Sequence, residues 1–200
     1  MAPAALAELA YTREQIHDRV RELATAVSAD LAVASAASGE RPLLISVLKG
    51  SVIFLADLVR QMPIDADVDF MSISRYSEAD RTGVVRIVKD LEQPLDGRDV
   101  VIVEDIVDTG LSLAYLLRTL ETRAPASLRI CALIDKRVLR IAELPVDYAG
   151  FETSSFLVGY GLDLHGRYRN LPDLLAVTDV AALAAAPDAL AGTLFPILEA

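Results

Sequence analysis

The chain has little that would suit it to a nucleic-acid or lipid surface. Its 200 residues carry 19 Lys and Arg against 29 Asp and Glu, a net charge of −10, and the basic residues form no cluster. A general nucleic-acid or anionic-membrane surface needs the opposite balance. An anionic ligand must therefore be met by local cations or a bound metal, not by the global field. Only one cysteine, Cys131, is present, so no disulfide framework can form. It lies in the apolar run Ile130-Cys131-Ala132-Leu133-Ile134 and reads as a buried core thiol. No basic stretch precedes the apolar residues of 1–10 and Glu8 comes early, unlike a secretory signal. The apolar tail 180–198 is broken by Pro187, Asp188, Gly192 and Pro196, which argues against a membrane span. There is no internal repeat and no linker of the kind that parts two full domains. The expected setting is cytoplasmic.

With 53% hydrophobic residues the chain can bury a large core, and its length suits a single domain over 1–200. The core of that domain is expected at about 36–175, with 176–200 an alanine-rich appendage. Thr12 and Gln15 form a capping box, after which Ile16, Val20, Leu23, Val27 and Leu31 make a helical stripe. Leu43 to Leu48 is a continuous apolar run, as in a strand covered on both faces, and Val52 to Met62 has helical periodicity. Val68 to Ile73, Val84 to Val88, Leu128 to Ile134, Tyr148 to Phe151 and Phe156 to Val158 read as further strands. Strands alternating with helices predict an α/β domain with a parallel sheet covered on both sides. The connection Ser74 to Gly83 is charged and poor in apolar residues, so it is expected to be exposed and mobile.

The most informative stretch is 100–112. Val100, Val101, Ile102 and Val103 predict a buried strand. The adjacent carboxylates Glu104 and Asp105 follow where that strand should end. Asp108-Thr109-Gly110 makes a turn, and Leu113, Leu116, Leu117 and Leu120 mark a helix after it. Acidic residues ahead of a helix often do no more than cap it. Two neighbouring carboxylates behind an apolar strand are different, because they repel and need a cation or hydroxyl donors. Ligands of open α/β sheets bind at the carboxyl ends of strands, and a helix N-terminus offers free N–H groups to a phosphate. The combination suits a ligand with both hydroxyls and a phosphate, such as a ribose phosphate.

Other signals are weak one by one. Lys49-Gly50 after the first apolar strand is an ordinary turn, and Lys136 after a later strand would usually be solvated. Phe156 reads as core, and Asp163 reads as a turn residue. Their order carries more. Thirteen residues from 100 to 112 resemble the phosphoribosyl-diphosphate signature of type I phosphoribosyltransferases: four apolar residues, two acids, two apolar residues, then Asp-Thr-Gly and a small hydroxyl residue. Val47-Leu48-Lys49-Gly50, the segment from Ser74 into Val84-Val85-Arg86-Ile87-Val88-Lys89-Asp90-Leu91, Lys136, and Val158-Gly159-Tyr160-Gly161-Leu162-Asp163 with Arg169 complete a set that resembles the hypoxanthine/guanine phosphoribosyltransferases. The resemblance covers about Leu43 to Leu171.

That resemblance implies the type I fold, a Rossmann-like parallel sheet with a small hood formed by terminal segments. It implies a glycosyltransferase of purine salvage that joins a 6-oxopurine to the phosphoribosyl group, uses Mg²⁺, and assembles as a homodimer or homotetramer. By the same resemblance Lys49 and Gly50 form a pyrophosphate loop with an unusual, cis peptide. Glu104 and Asp105 hold the ribose hydroxyls and Mg²⁺, while Asp108, Thr109, Gly110 and Ser112 cradle the 5′-phosphate. Asp108 faces N7 of the purine as the proton-transfer group. Lys136 donates to O6, Phe156 stacks on the base, and Leu157 bonds it through its backbone. Asp163 binds a second Mg²⁺, Arg169 neutralises pyrophosphate, and Ser74 and Tyr76 belong to a lid loop. The lid departs from the family pattern, with Arg75 and Arg81 where serines are usual. Two other readings compete. A regulator keeping this fold to control RNA or DNA wants a basic face that the chain lacks. A phosphohydrolase using Asp105 wants Asp-x-Asp, whereas Asp105 and Asp108 are separated by Ile106 and Val107.

Overall fold

The computed structural model describes residues 6–75 and 85–190. The alternation of apolar runs and amphipathic segments resolves into nine strands and four helices among these residues. In chain order they are β1 (Ala7–Tyr11), α1 (Arg13–Ser38), β2 (Leu43–Val47), α2 (Val52–Gln61), β3 (Asp67–Arg75), β4 (Val85–Lys89), β5 (Asp99–Val107), α3 (Leu111–Glu121), β6 (Ser127–Asp135), β7 (Tyr148–Glu152), β8 (Phe156–Val158), β9 (Leu174–Val177) and α4 (Val180–Ala185). The described residues fall into two compact units, one of those between 17 and 154 and one that joins 6–16 with 155–190. None of the helices among the described residues is long and apolar enough to cross a membrane.

The larger unit is built on a six-stranded sheet in the order β4-β3-β2-β5-β6-β7. All its pairings are parallel except β3 with β4. Every residue of β2 is buried, as expected of a strand covered on both faces. Leu43, Ile45 and Val47 alternate onto one face with Val100 and Ile102, and α3 covers them with Leu113, Leu116 and Leu120. The α1 stripe of Ile16, Val20, Leu23, Val27 and Leu31 is buried as its spacing predicts. The capping box forms too: Thr12 N donates to Gln15 Oε1 at 2.9 Å, and Gln15 N to Thr12 Oγ1 at 3.2 Å. Cys131 is buried, and burial pushes its thiol well above the ordinary range, so it stays neutral.

Chain order explains where a ligand can sit. From β2 the chain crosses to β3 on one side, and later returns to β5 on the other. The point where the winding reverses opens a crevice at the strands' carboxyl ends. Here that point lies between β2, which leads into Lys49, and β5, which leads into Asp108.

The smaller unit contains the antiparallel sheet β1-β9-β8. Val158, Leu164, Tyr168, Leu171, Val177 and Leu183 are buried together in it. Its strands β1 and β9 are not apparent from the sequence. β1 is short, carries Ala and Glu, and is extended through its partner β9 rather than through propensity. Within the alanine-rich tail the short helix α4 is opened by Asp179, whose Oδ1 accepts from Ala182 N at 2.8 Å. Residues 191–200 lie outside the described residues.

Candidate functional site

Two of the expected boundaries need correction. Glu104 and Asp105 do not follow a finished strand: β5 runs on to Val107. The cause is β6, which pairs with β5 as far as Val107↔Asp135, whereas the β2 ladder stops at Ser46↔Val103. The acids therefore occupy an extension of β5 held from one side only. Consecutive strand residues project to opposite faces, so the two half-buried carboxylates address different sides of the sheet end. Oδ1 of Asp105 also accepts from Ile106 N at 2.8 Å. Ser74 likewise lies not in a loop but in β3, opposite Arg86 of β4. Tyr76 and Arg81, with the rest of 76–84, lie outside the described residues.

The turn after β2 is fixed by serines. Ser51 Oγ donates to Val47 O at 2.6 Å, which uses its one hydrogen. Ser46 Oγ, 2.7 Å away, must then be the donor to Ser51. With its hydroxyl turned back, Ser51 makes no side-chain cap on α2. The Leu48–Lys49 peptide is cis, and Lys49 is exposed beside the buried Gly50.

The turn after β5 has its carbonyls fully engaged. Val107 O accepts from Lys136 N at 2.9 Å. Asp108 O accepts from Arg140 Nε at 3.2 Å. Thr109 O accepts from Ile141 N at 2.9 Å and from Ala142 N at 3.0 Å, and Gly110 O from Ala114 N at 2.8 Å. Among the described residues no acceptor meets the N–H groups of Thr109, Gly110 or Leu111. Helix α3 begins here without a side-chain cap and with no acid in its first turn. Its N-terminal donors are thus left to an anion. Ser112 is half-buried in the same first turn, and the Asp108 side chain is exposed.

Gly110 is required twice over. Its φ is +77°, and a Cβ there would come within 2.8 Å of Leu144 Cδ2 and 2.9 Å of Arg140 Cδ. A non-glycine residue in such a conformation costs about 1–3 kcal/mol. Gly110→Ala should therefore lower unfolding free energy in denaturant by about that amount, and an unchanged transition would contradict this view of the turn.

Lys136 departs from the solvated lysine that its place after a strand would suggest: it is 5% exposed. A lysine so buried has to be partnered. It stands at the end of β6, next to the buried Asp135 and before a single 3₁₀ turn, Arg137–Leu139. Arg140, which follows that turn, is not singled out by sequence reasoning; a lone arginine in a loop carries no periodic signal.

In the smaller unit Phe156 is half-buried against the apolar cluster and Leu157 is buried. Gly159, Tyr160 and Gly161 all have positive φ. Arg169 spans this loop: its Nη1 donates to Gly161 O at 2.6 Å and its Nη2 pairs with Asp163 Oδ1 at 2.6 Å. Asp163 Oδ2 accepts from Gly166 N at 2.6 Å. Two residues expected to meet separate ligands thus meet each other.

Comparison with known proteins follows the same lines. The phosphoribosyl transferase domain family matches residues 11–165. The hypoxanthine-guanine phosphoribosyltransferase of Mycobacterium avium is 47% identical over 171 residues, 84% of each chain. The hypoxanthine-guanine-xanthine phosphoribosyltransferase of Tritrichomonas foetus is 39% identical over 169 residues, 84% of this chain and 89% of the other. The crystal structure of a hypoxanthine-guanine phosphoribosyltransferase from Bacillus anthracis superposes with a TM-score of 0.77 at 38% identity, covering 85% of this chain and 98% of that one.

Proposed function

This chain belongs to the hypoxanthine-guanine phosphoribosyltransferase family, and from that premise we propose that it salvages purines. It moves the 5-phosphoribosyl group from phosphoribosyl diphosphate to hypoxanthine or guanine and releases pyrophosphate, a glycosyl transfer. One observation carries the reading: at the reversal point of the sheet, an acid pair on the β5 extension adjoins a turn whose N–H groups await an anion. Ribose hydroxyls suit the first and a 5′-phosphate the second.

The chemistry asks little nucleophilic help, because the purine nitrogen attacks C1 itself. Positioning, charge stabilisation and one proton transfer remain. Asp108 takes or returns the N7 proton from its exposed place at the turn's tip. Thr109, Gly110 and Ser112 hold the 5′-phosphate. Glu104 and Asp105 hold the ribose hydroxyls, and Lys49 with Gly50 receives the pyrophosphate. As the resemblance implies, Phe156 stacks on the base, Leu157 bonds it through its backbone, Asp163 would hold a second Mg²⁺, and Arg169 neutralises pyrophosphate. Tyr76 remains a proposed lid residue, and Ser74, in β3, leads into that segment.

The residues present suit Mg²⁺. No group of three or more His, Cys, Asp or Glu side chains gathers among the described residues. Mg²⁺ commonly takes only one or two carboxylates, the rest of its shell being water and substrate oxygens. Glu104 and Asp105 are hard oxygen donors suited to one such ion, and Asp163 is a hard oxygen donor suited to a second. Bound there, the ion would neutralise charge building on the diphosphate. The resemblance also supports a cytoplasmic homodimer or homotetramer.

Lys136 tests the purine assignment. Its ammonium donates to O6, whereas adenine carries an amino donor at that position, and an unpaired buried polar group costs about 1–3 kcal/mol. The wild-type protein should therefore use hypoxanthine, guanine or xanthine about tenfold or more better than adenine. Lys136→Ala should cut 6-oxopurine turnover and narrow that preference while sparing phosphate binding. Steady-state rates with the four bases decide it. Adenine used as well as hypoxanthine, or an intact 6-oxopurine rate in Lys136→Ala, would end the assignment of this lysine to O6.

A further inference from the structure

A trans peptide unit is planar, so its C=O and N–H point in opposite directions. The aim of the Thr109, Gly110 and Leu111 N–H groups is therefore set by whatever holds the carbonyls of Asp108, Thr109 and Gly110. Helix α3 holds the last of these through Ala114 N. The other two are held by one short segment, Arg140 to Ala142. Arg140 is itself fixed on two further sides: Nη2 pairs with Asp135 Oδ1, and Nη1 donates to Leu144 O at 3.3 Å. The side chain of Asp135 is 5% exposed and that of Arg140 14%. The arginine's aliphatic stem packs under Gly110, where Cδ would lie 2.9 Å from an added Cβ.

We infer that Arg140, oriented by Asp135, is the positioning residue of the phosphate-binding turn. It touches neither the reacting atoms nor the phosphate. It turns the Asp108 carbonyl inward, so that the N–H of Thr109 faces the 5′-phosphate and the Asp108 side chain stays at the turn's tip. Three acceptors on three stretches of chain need three nitrogens in a fixed fork, which guanidinium has and ammonium lacks. The stretch that leads into this segment, through the 3₁₀ turn Arg137–Leu139, begins with Lys136, whose N–H holds Val107 O. Purine lysine and phosphate turn are thereby built as one piece. The inference rests on the reading of this turn as a phosphate cradle.

The test compares two inhibitors of one enzyme: ribose 5-phosphate, which reports the turn, and inorganic pyrophosphate, which reports the Lys49 loop. In Arg140→Ala, ribose 5-phosphate should bind markedly more weakly while pyrophosphate binds as before. kcat/KM for phosphoribosyl diphosphate should fall on the order of 10²-fold, the usual cost of a misplaced site. Millimolar guanidinium, but not urea, should restore part of the loss. Arg140→Lys keeps a charge beside buried Asp135, so it serves if the alanine variant does not fold, and it should show the same selective loss in smaller degree. Equal weakening of both inhibitors would mean a merely structural role and overturn the inference, as would no weakening of either. Failure of the wild-type protein to bind ribose 5-phosphate would overturn it too. Wild-type protein that binds ribose 5-phosphate yet forms no nucleotide would sink the proposed reaction and leave this inference standing.

Discussion

Asp108→Asn should lower kcat by roughly 10²–10⁴-fold, the range for a lost general acid or base, with a far smaller change in affinity for phosphoribosyl diphosphate. The split follows from the turn. Its phosphate donors are main-chain N–H groups, and the carbonyl of residue 108 is held by Arg140 whichever side chain follows. Asparagine keeps the shape of aspartate but is uncharged and cannot take up the N7 proton. Steady-state kcat and the dissociation constant for phosphoribosyl diphosphate, measured separately, check this. Near wild-type turnover would remove Asp108 from the mechanism.

The double change Glu104→Gln with Asp105→Asn should act on the opposite quantity. Each hydrogen bond to a charged group contributes about 1.5–3 kcal/mol, so losing both ionised acceptors should weaken phosphoribosyl diphosphate with Mg²⁺ on the order of 10²-fold or more. Because the two carboxylates leave β5 on opposite faces, the single variants should each lose part of the affinity, and neither should reproduce the double. Titration of the three variants with phosphoribosyl diphosphate and Mg²⁺ reads this. Unchanged affinity in the double variant would remove the pair from ligand binding.

Much of this arrangement is legible in the residues. The four β-branched residues from Val100, the acid pair, and Asp108-Thr109-Gly110 before a leucine-spaced helix announce strand, turn and helix, and the capping box of Thr12 and Gln15 forms as written. What the sequence hides is set by partners distant in the chain. β5 continues through Glu104 and Asp105 because β6 is there to pair with it, and no local propensity foretells that. Ser74 is strand for the same reason, through β4. Lys136 is buried although lysine favours water, since its neighbours Asp135 and Val107 belong to adjoining strand ends. Arg140 is invisible as a brace until the carbonyls it holds have positions. Asp163 and Arg169, six residues apart, are each legible as a charged loop residue, but their ion pair depends on the positive-φ turn at Gly159, Tyr160 and Gly161.

The acid pair and the open turn serve group transfer, not the retention of a ligand. Mixing wild-type protein with phosphoribosyl diphosphate, Mg²⁺ and hypoxanthine or guanine, and measuring nucleotide and pyrophosphate together, decides between the two. Both products should appear in equal amounts, and only when the base is added. Tight binding of phosphoribosyl diphosphate with no nucleotide formed would instead mark a regulator that keeps the fold, and would contradict group transfer.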